Sequence, residues 1–97
     1  LSGYVFEVDL WEWGGKASRH FLTVPRDVSG IIRMSRARRT GFGSVRVLAQ
    51  IAGVALKTSP FPDAKSGCYL LPVKAAIRAC AGLQSGNMVR VDLSVID

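Results

Sequence analysis

The sharpest periodicity lies near the C-terminal end. Val89, Val91, Leu93 and Val95 alternate with Arg90, Asp92 and Ser94. A period of two marks a strand with one buried face. The same alternation runs through residues 3–10, with Tyr4, Phe6, Val8 and Leu10 on one side and Val5, Glu7, Asp9 and Trp11 on the other. Gly14-Gly15 is a turn signal, so a second strand over residues 19–24 is predicted to return as a hairpin. Its inward side carries His20, Leu22 and Val24. Val45, Val47, Ala49 and Ile51 form the next apolar row, against Arg46, Leu48 and Gln50. Ala52-Gly53 marks a tight turn, and residues 54–59 return from it. Residues 68–71 form a further short strand. Residues 60–67 hold two prolines and several turn formers, and are predicted to be irregular.

Two prolines open the helices. Pro25 precedes Arg26, Asp27 and Val28, with Asp27 well placed against the N-terminal dipole. Val28, Ile31 and Ile32 make the buried stripe, with Met34 or Ser35 extending it. Gly30 costs this helix about 1 kcal/mol relative to alanine. Pro72 is expected to begin the second helix, where Val73, Ile77 and Cys80 or Ala81 form the apolar stripe. Lys74 and Arg78 share another face, and Gly82 stops the helix.

The two halves look alike. Phe21-Leu22-Thr23-Val24-Pro25 leads to Ile31-Ile32-Arg33, and Tyr69-Leu70-Leu71-Pro72 leads to Ala76-Ile77-Arg78. Each half reads strand, proline, short helix, glycine-containing turn, strand. The predicted class is therefore mainly β: a small closed β-barrel of about six strands with two short helices, built as a pseudo-twofold strand-helix-strand repeat. Closure would remove most exposed strand edges.

The bulk composition narrows the class. Ninety-seven residues make a single domain, 1–97. Apolar content of 48% with 21% charged residues suits a soluble globular chain. No run approaches the roughly 18 apolar residues of a membrane span, and no signal peptide precedes the first strand. Leu1 is not a usual start, so a trimmed N-terminus is expected. Cys68 and Cys80 lack C-x-x-C spacing and are expected to be reduced, half-buried thiols of a cytoplasmic protein. Both monomer and homodimer remain open.

Charge changes the picture most. Net charge is +6, from 13 Lys+Arg against 7 Asp+Glu. Arg26, Arg33, Arg36, Arg38, Arg39 and Arg46 are opposed in their segment only by Asp27. Such a segment attracts phosphate, nucleic acid, acidic protein or anionic lipid, or else is a solvated face that keeps a small protein soluble. The candidate binding residues are Arg33, Arg36, Arg38, Arg39 and Arg46, with Lys74 and Arg78 adding to that face. Arg38 and Arg39 beside Gly41 and Gly43 have the composition of an anion-holding loop. Trp11, Trp13 and Phe42 offer stacking surfaces, or plug the ends of a barrel. The rival is a protein-interaction module that binds its partner through the loop of residues 38–46, or a structural module in which the arginines pair with Glu7, Asp9 or Asp63 and brace that loop.

Catalysis has thinner support. His20 is the lone histidine, and Ser44, Ser59, Cys68 and Cys80 have no base partner in sequence. A hydrolase-type reading would gain only from a pocket that brings His20 beside Ser59 or Cys68. The carboxylates are scattered, and one histidine with two separated cysteines is a poor start for a zinc site. Gly41-Phe42-Gly43 is followed by a strand rather than a helix, which argues against dinucleotide binding. No catalytic residue, metal or cofactor is expected.

Two resemblances follow from particular motifs. Leu71-Pro72, Arg78, Gly82-Leu83, Gly86-Asn87 and Val89-Arg90-Val91 resemble the strand-helix-strand half of the AbrB and MazE swapped-hairpin group. The helix here is slightly longer, and Asn87 stands where that pattern usually has Asp. The likeness implies DNA binding. A wider match involves Arg38-Arg39-Thr40-Gly41-Phe42-Gly43-Ser44-Val45-Arg46-Val47, Thr58-Ser59-Pro60-Phe61-Pro62, and Gly67-Cys68-Tyr69-Leu70-Leu71-Pro72-Val73-Lys74-Ala75-Ala76-Ile77-Arg78. These resemble a bacterial and archaeal family of unknown function that often adjoins YdeI/OmpD-associated domains. That resemblance implies a double-split β-barrel and no established activity.

Overall fold

The computed structural model describes residues 3–14, 19–37 and 45–96. In chain order the elements are β1 (Tyr4–Trp13), β2 (Arg19–Thr23), α1 (Arg26–Ala37), β3 (Arg46–Ile51), β4 (Val54–Thr58), β5 (Phe61–Pro62), β6 (Tyr69–Pro72), α2 (Ala75–Ala81) and β7 (Met88–Ile96). The strands form one seven-stranded sheet in the order β4-β3-β7-β1-β2-β6-β5, curled into a half-barrel. Every neighbouring pair is antiparallel.

β1 explains the curl. Its first part pairs with β7, Tyr4 opposite Leu93 through Asp9 opposite Met88. Its last part pairs with β2, Leu10 opposite Leu22 through Trp13 opposite Arg19. The strand thus runs past its expected end at Leu10, because the hairpin to β2 extends its pairing. Corresponding strands of the two similar halves also pair, β2 with β6 and β3 with β7.

Alternation places the core on the concave side. Val47, Ala49, Ile51, Val89, Val91 and Leu93 are buried there with Leu10, Leu22 and Leu71. Burying each of the valine, leucine and isoleucine side chains among them stabilises the fold by roughly 1.5–3 kcal/mol. Val28 and Ile32 bring α1 onto this core, one helical turn apart. Ile31 is only half-buried and Met34 is exposed, so the stripe is narrower than expected. Ser29 takes the vacant place. Its buried hydroxyl donates to the Val24 carbonyl and accepts from the Tyr69 N–H, both at 2.9 Å.

The expected closed barrel is not formed, and the strand count is seven rather than six. β4 and β5 stand at opposite ends of the sheet, and among the described residues no ladder joins them. The physical reason lies in β5. It is two residues long, includes Pro62 and follows Pro60, and prolines have no N–H to donate. α2 lies against β4 instead, while Ile77 and Leu83 pack on the core. Side chains of a helix, rather than strand hydrogen bonds, cover that side.

Pro72 ends β6 rather than opening α2. The helix begins after Lys74, whose extended backbone (φ −70°, ψ 159°) makes it the N-cap. Gly82, at φ 67°, ends it, and the Leu83 N–H then reaches the Arg78 carbonyl at 2.9 Å. Cys68 is buried and Cys80 exposed; both are free.

Candidate functional site

β2 and β6 meet where the chain turns into α2. Phe21 lies opposite Pro72, and the Val73 N–H donates to the His20 carbonyl at 2.9 Å. This bond carries the start of α2 to the start of β2. Lys74 and Arg78, four residues apart, then stand beside Arg19 and His20. Together these four line a pocket of about 410 Å³. Phe21, Phe61 and Pro72 supply its apolar wall. No carboxylate lines it. Among the described residues, none of the three cations has a carboxylate partner.

The cations are held differently. Arg78 is half-buried, and its Nε donates to the Val73 carbonyl at 3.3 Å. That contact fixes the guanidinium beside the pocket while its terminal amino groups remain available as donors. Arg19 and Lys74 are exposed. His20 has a side chain only 10% exposed, with Nε2 3.9 Å from the Glu12 carboxylate. This separation is too long for a hydrogen bond. Its Nδ1 is buried with no hydrogen-bond partner among the described residues.

The aromatic wall is a chain of rings. Trp11 and Phe21 have centroids 5.2 Å apart, and Phe21 meets Phe61 edge-to-face at 5.6 Å. The Trp11 indole N–H donates to the Thr23 hydroxyl at 2.9 Å. Trp11 is therefore built into the structure, whereas Phe61 remains 40% exposed at the pocket.

A family model described as a domain of unknown function (DUF1905) matches residues 6–93. The chain belongs to this family. The matched stretch contains every residue that lines the pocket, so the pocket lies within the DUF1905 domain itself. No curated protein matches the chain.

Within this DUF1905 domain the sequence-predicted binding residues separate. Lys74 and Arg78 come together in the pocket. Arg33 does not join them. Its Nη2 donates to the Gly67 carbonyl at 2.7 Å, and its guanidinium lies 5.8 Å from the centre of the Tyr69 ring. It ties α1 to the chain entering β6. Arg46 projects from the outer face of β3, between inward-facing Val45 and Val47. Arg36 belongs to α1. Arg38, Arg39 and the Gly41-Phe42-Gly43 loop lie outside the described residues, as does Ser44.

Sequence reasoning missed Arg19 and Phe61 as site residues. Arg19 reaches the pocket only through the pairing of β2 with β6, which neither segment announces alone. Phe61 lies in the proline-rich residues 60–67, whose composition predicts irregular chain, whereas Phe61–Pro62 form β5. The hydrolase constellation is not assembled. His20 lines this pocket, Cys68 lines a separate groove with Glu7 and Asp9, and Ser59 lines neither. Among the described residues, no group of three or more His, Cys, Asp or Glu could hold a metal ion. No helix among them is long and apolar enough to cross a membrane.

Proposed function

We propose that this DUF1905 domain is a non-catalytic binding module that takes an anionic group between Lys74, Arg78 and Arg19. One observation carries the reading: three cations converge on a single concavity whose wall holds no carboxylate. Cations that serve solubility alone have no reason to share an apolar-walled pocket. The contact from Arg78 to the Val73 carbonyl supports it further, because a partly fixed donor loses less freedom on binding. Phosphate and carboxylate are the groups that such donors match.

The nucleic-acid form of this reading draws on the net charge of +6 and on Arg46 at the outer face. There the anion would be a phosphate of the strand, and affinity would fall steeply with salt.

Calorimetry at low ionic strength tests the anion site. Inorganic phosphate is expected to bind the full chain, and Lys74→Ala with Arg78→Ala to weaken it by roughly tenfold or more, since each charge-assisted bond contributes about 1.5–3 kcal/mol. Unchanged affinity in that variant would place the anion elsewhere. Duplex DNA that gives no mobility shift at low salt would remove the nucleic-acid form.

A further inference from the structure

We infer that the pocket's ligand is a small aromatic anion: a planar ring carrying a phosphate or carboxylate. The inference rests on the anion site proposed above and adds the rest of the ligand. A bare oxyanion fills little of 410 Å³, a volume within the range of pockets that enclose whole small molecules. The unfilled part is walled by carbon, from Phe21, Phe61 and Pro72. A ligand that fits therefore has an apolar body next to its charge.

The shape of that body follows from the ring chain. Phe61 sits on the two-residue edge strand and keeps 40% of its surface in water. Its edge-to-face contact with buried Phe21 at 5.6 Å holds the ring at the wall rather than letting it collapse inward. An aromatic ligand gains offset or edge contacts with such a ring beyond the area it buries. The Arg78 guanidinium adds a planar cation that also prefers a ring face. A saturated ring of the same size gains only burial.

The same chemistry occurs in free aryl acids and in the nucleotides of a single strand. A concavity of about 410 Å³ lined by both cations and rings has room for one ring and one charge, which favours the free molecule.

The test compares matched probes by calorimetry on the full chain: phenyl phosphate, cyclohexyl phosphate, inorganic phosphate and benzyl alcohol. Phenyl phosphate is expected to bind about three- to tenfold more tightly than cyclohexyl phosphate, the range that aromatic contacts supply. Phe61→Leu keeps an apolar wall and removes the ring; it should abolish that preference, bringing the two ring phosphates to within about twofold of each other. Benzyl alcohol, lacking the charge, should bind far more weakly. Equal affinity for the two ring phosphates overturns the aromatic inference and leaves the anion site standing. No binding of any phosphate overturns both. Benzyl alcohol binding as tightly as phenyl phosphate removes the role of the charge. An affinity for oligothymidylate that climbs with length well beyond that of thymidine monophosphate overturns the small-molecule assignment.

Discussion

The Ser29 hydroxyl accepts the Tyr69 backbone N–H at 2.9 Å and donates to the Val24 carbonyl at the same distance. Ser29 is fully buried, so this one side chain pairs two backbone groups that water cannot reach. It joins α1 to the end of β2 and the start of β6. Ser29→Ala leaves both groups unpaired. The expected cost is about 1–3 kcal/mol, seen as a lower urea midpoint with an unchanged slope. A midpoint equal to that of the parent would mean that the backbone finds other partners.

Arg33 separates bracing from binding. Its bond to Gly67 and its position over Tyr69 make it a surface tie between α1 and the chain before β6. Arg33→Gln is expected to cost under about 1 kcal/mol, because the side chain is exposed. Phosphate affinity should stay within about twofold of the parent, a change of less than half a kcal/mol. A loss of affinity as large as that from removing Lys74 and Arg78 would return Arg33 to the binding site.

The β3–β4 turn contains an avoidable strain. Ala52 has φ 50° and Gly53 φ 87°, positive at both central positions as a type I′ turn requires. Alanine in the left-handed region costs on the order of 1 kcal/mol, whereas asparagine tolerates it better. Ala52→Asn is therefore expected to raise Tm by a few degrees. Gly82→Ala should have the opposite sign, since Gly82 ends α2 at φ 67°. Differential scanning calorimetry reads both; a lower Tm for Ala52→Asn would contradict the turn assignment.

Local pattern carried much of the fold. The alternation of Val89, Val91, Leu93 and Val95 predicted an inward row, and all but half-buried Val95 are buried. Gly82 and Ala52-Gly53 marked a helix end and a turn because their backbone needs are local. Pro72 misled, since a proline suits the end of a short strand as well as the start of a helix. Barrel closure depends on contacts between distant segments, and the short, proline-bearing β5 decided against it. The site was half legible. Lys74 and Arg78 were named from their helical spacing, but Arg19 joins them only through the β2–β6 register, and His20 enters from the same strand. The arginines at 33 and 46 form a charge cluster in sequence, but their settings are tertiary: Arg33 ties α1 to the Gly67 carbonyl, and Arg46 lies on the outer face of β3.

Backbone amide NMR with stepwise addition of inorganic phosphate at low ionic strength tests the location of the site most directly. The expected result is saturable shifts in the signals of Arg19, His20 and Phe21 and of Val73, Lys74, Ala75 and Arg78, with those of Arg33 and Arg46 unmoved. Shifts centred on Arg33, Arg46 and the segment joining α1 to β3, with the pocket residues silent, would contradict it.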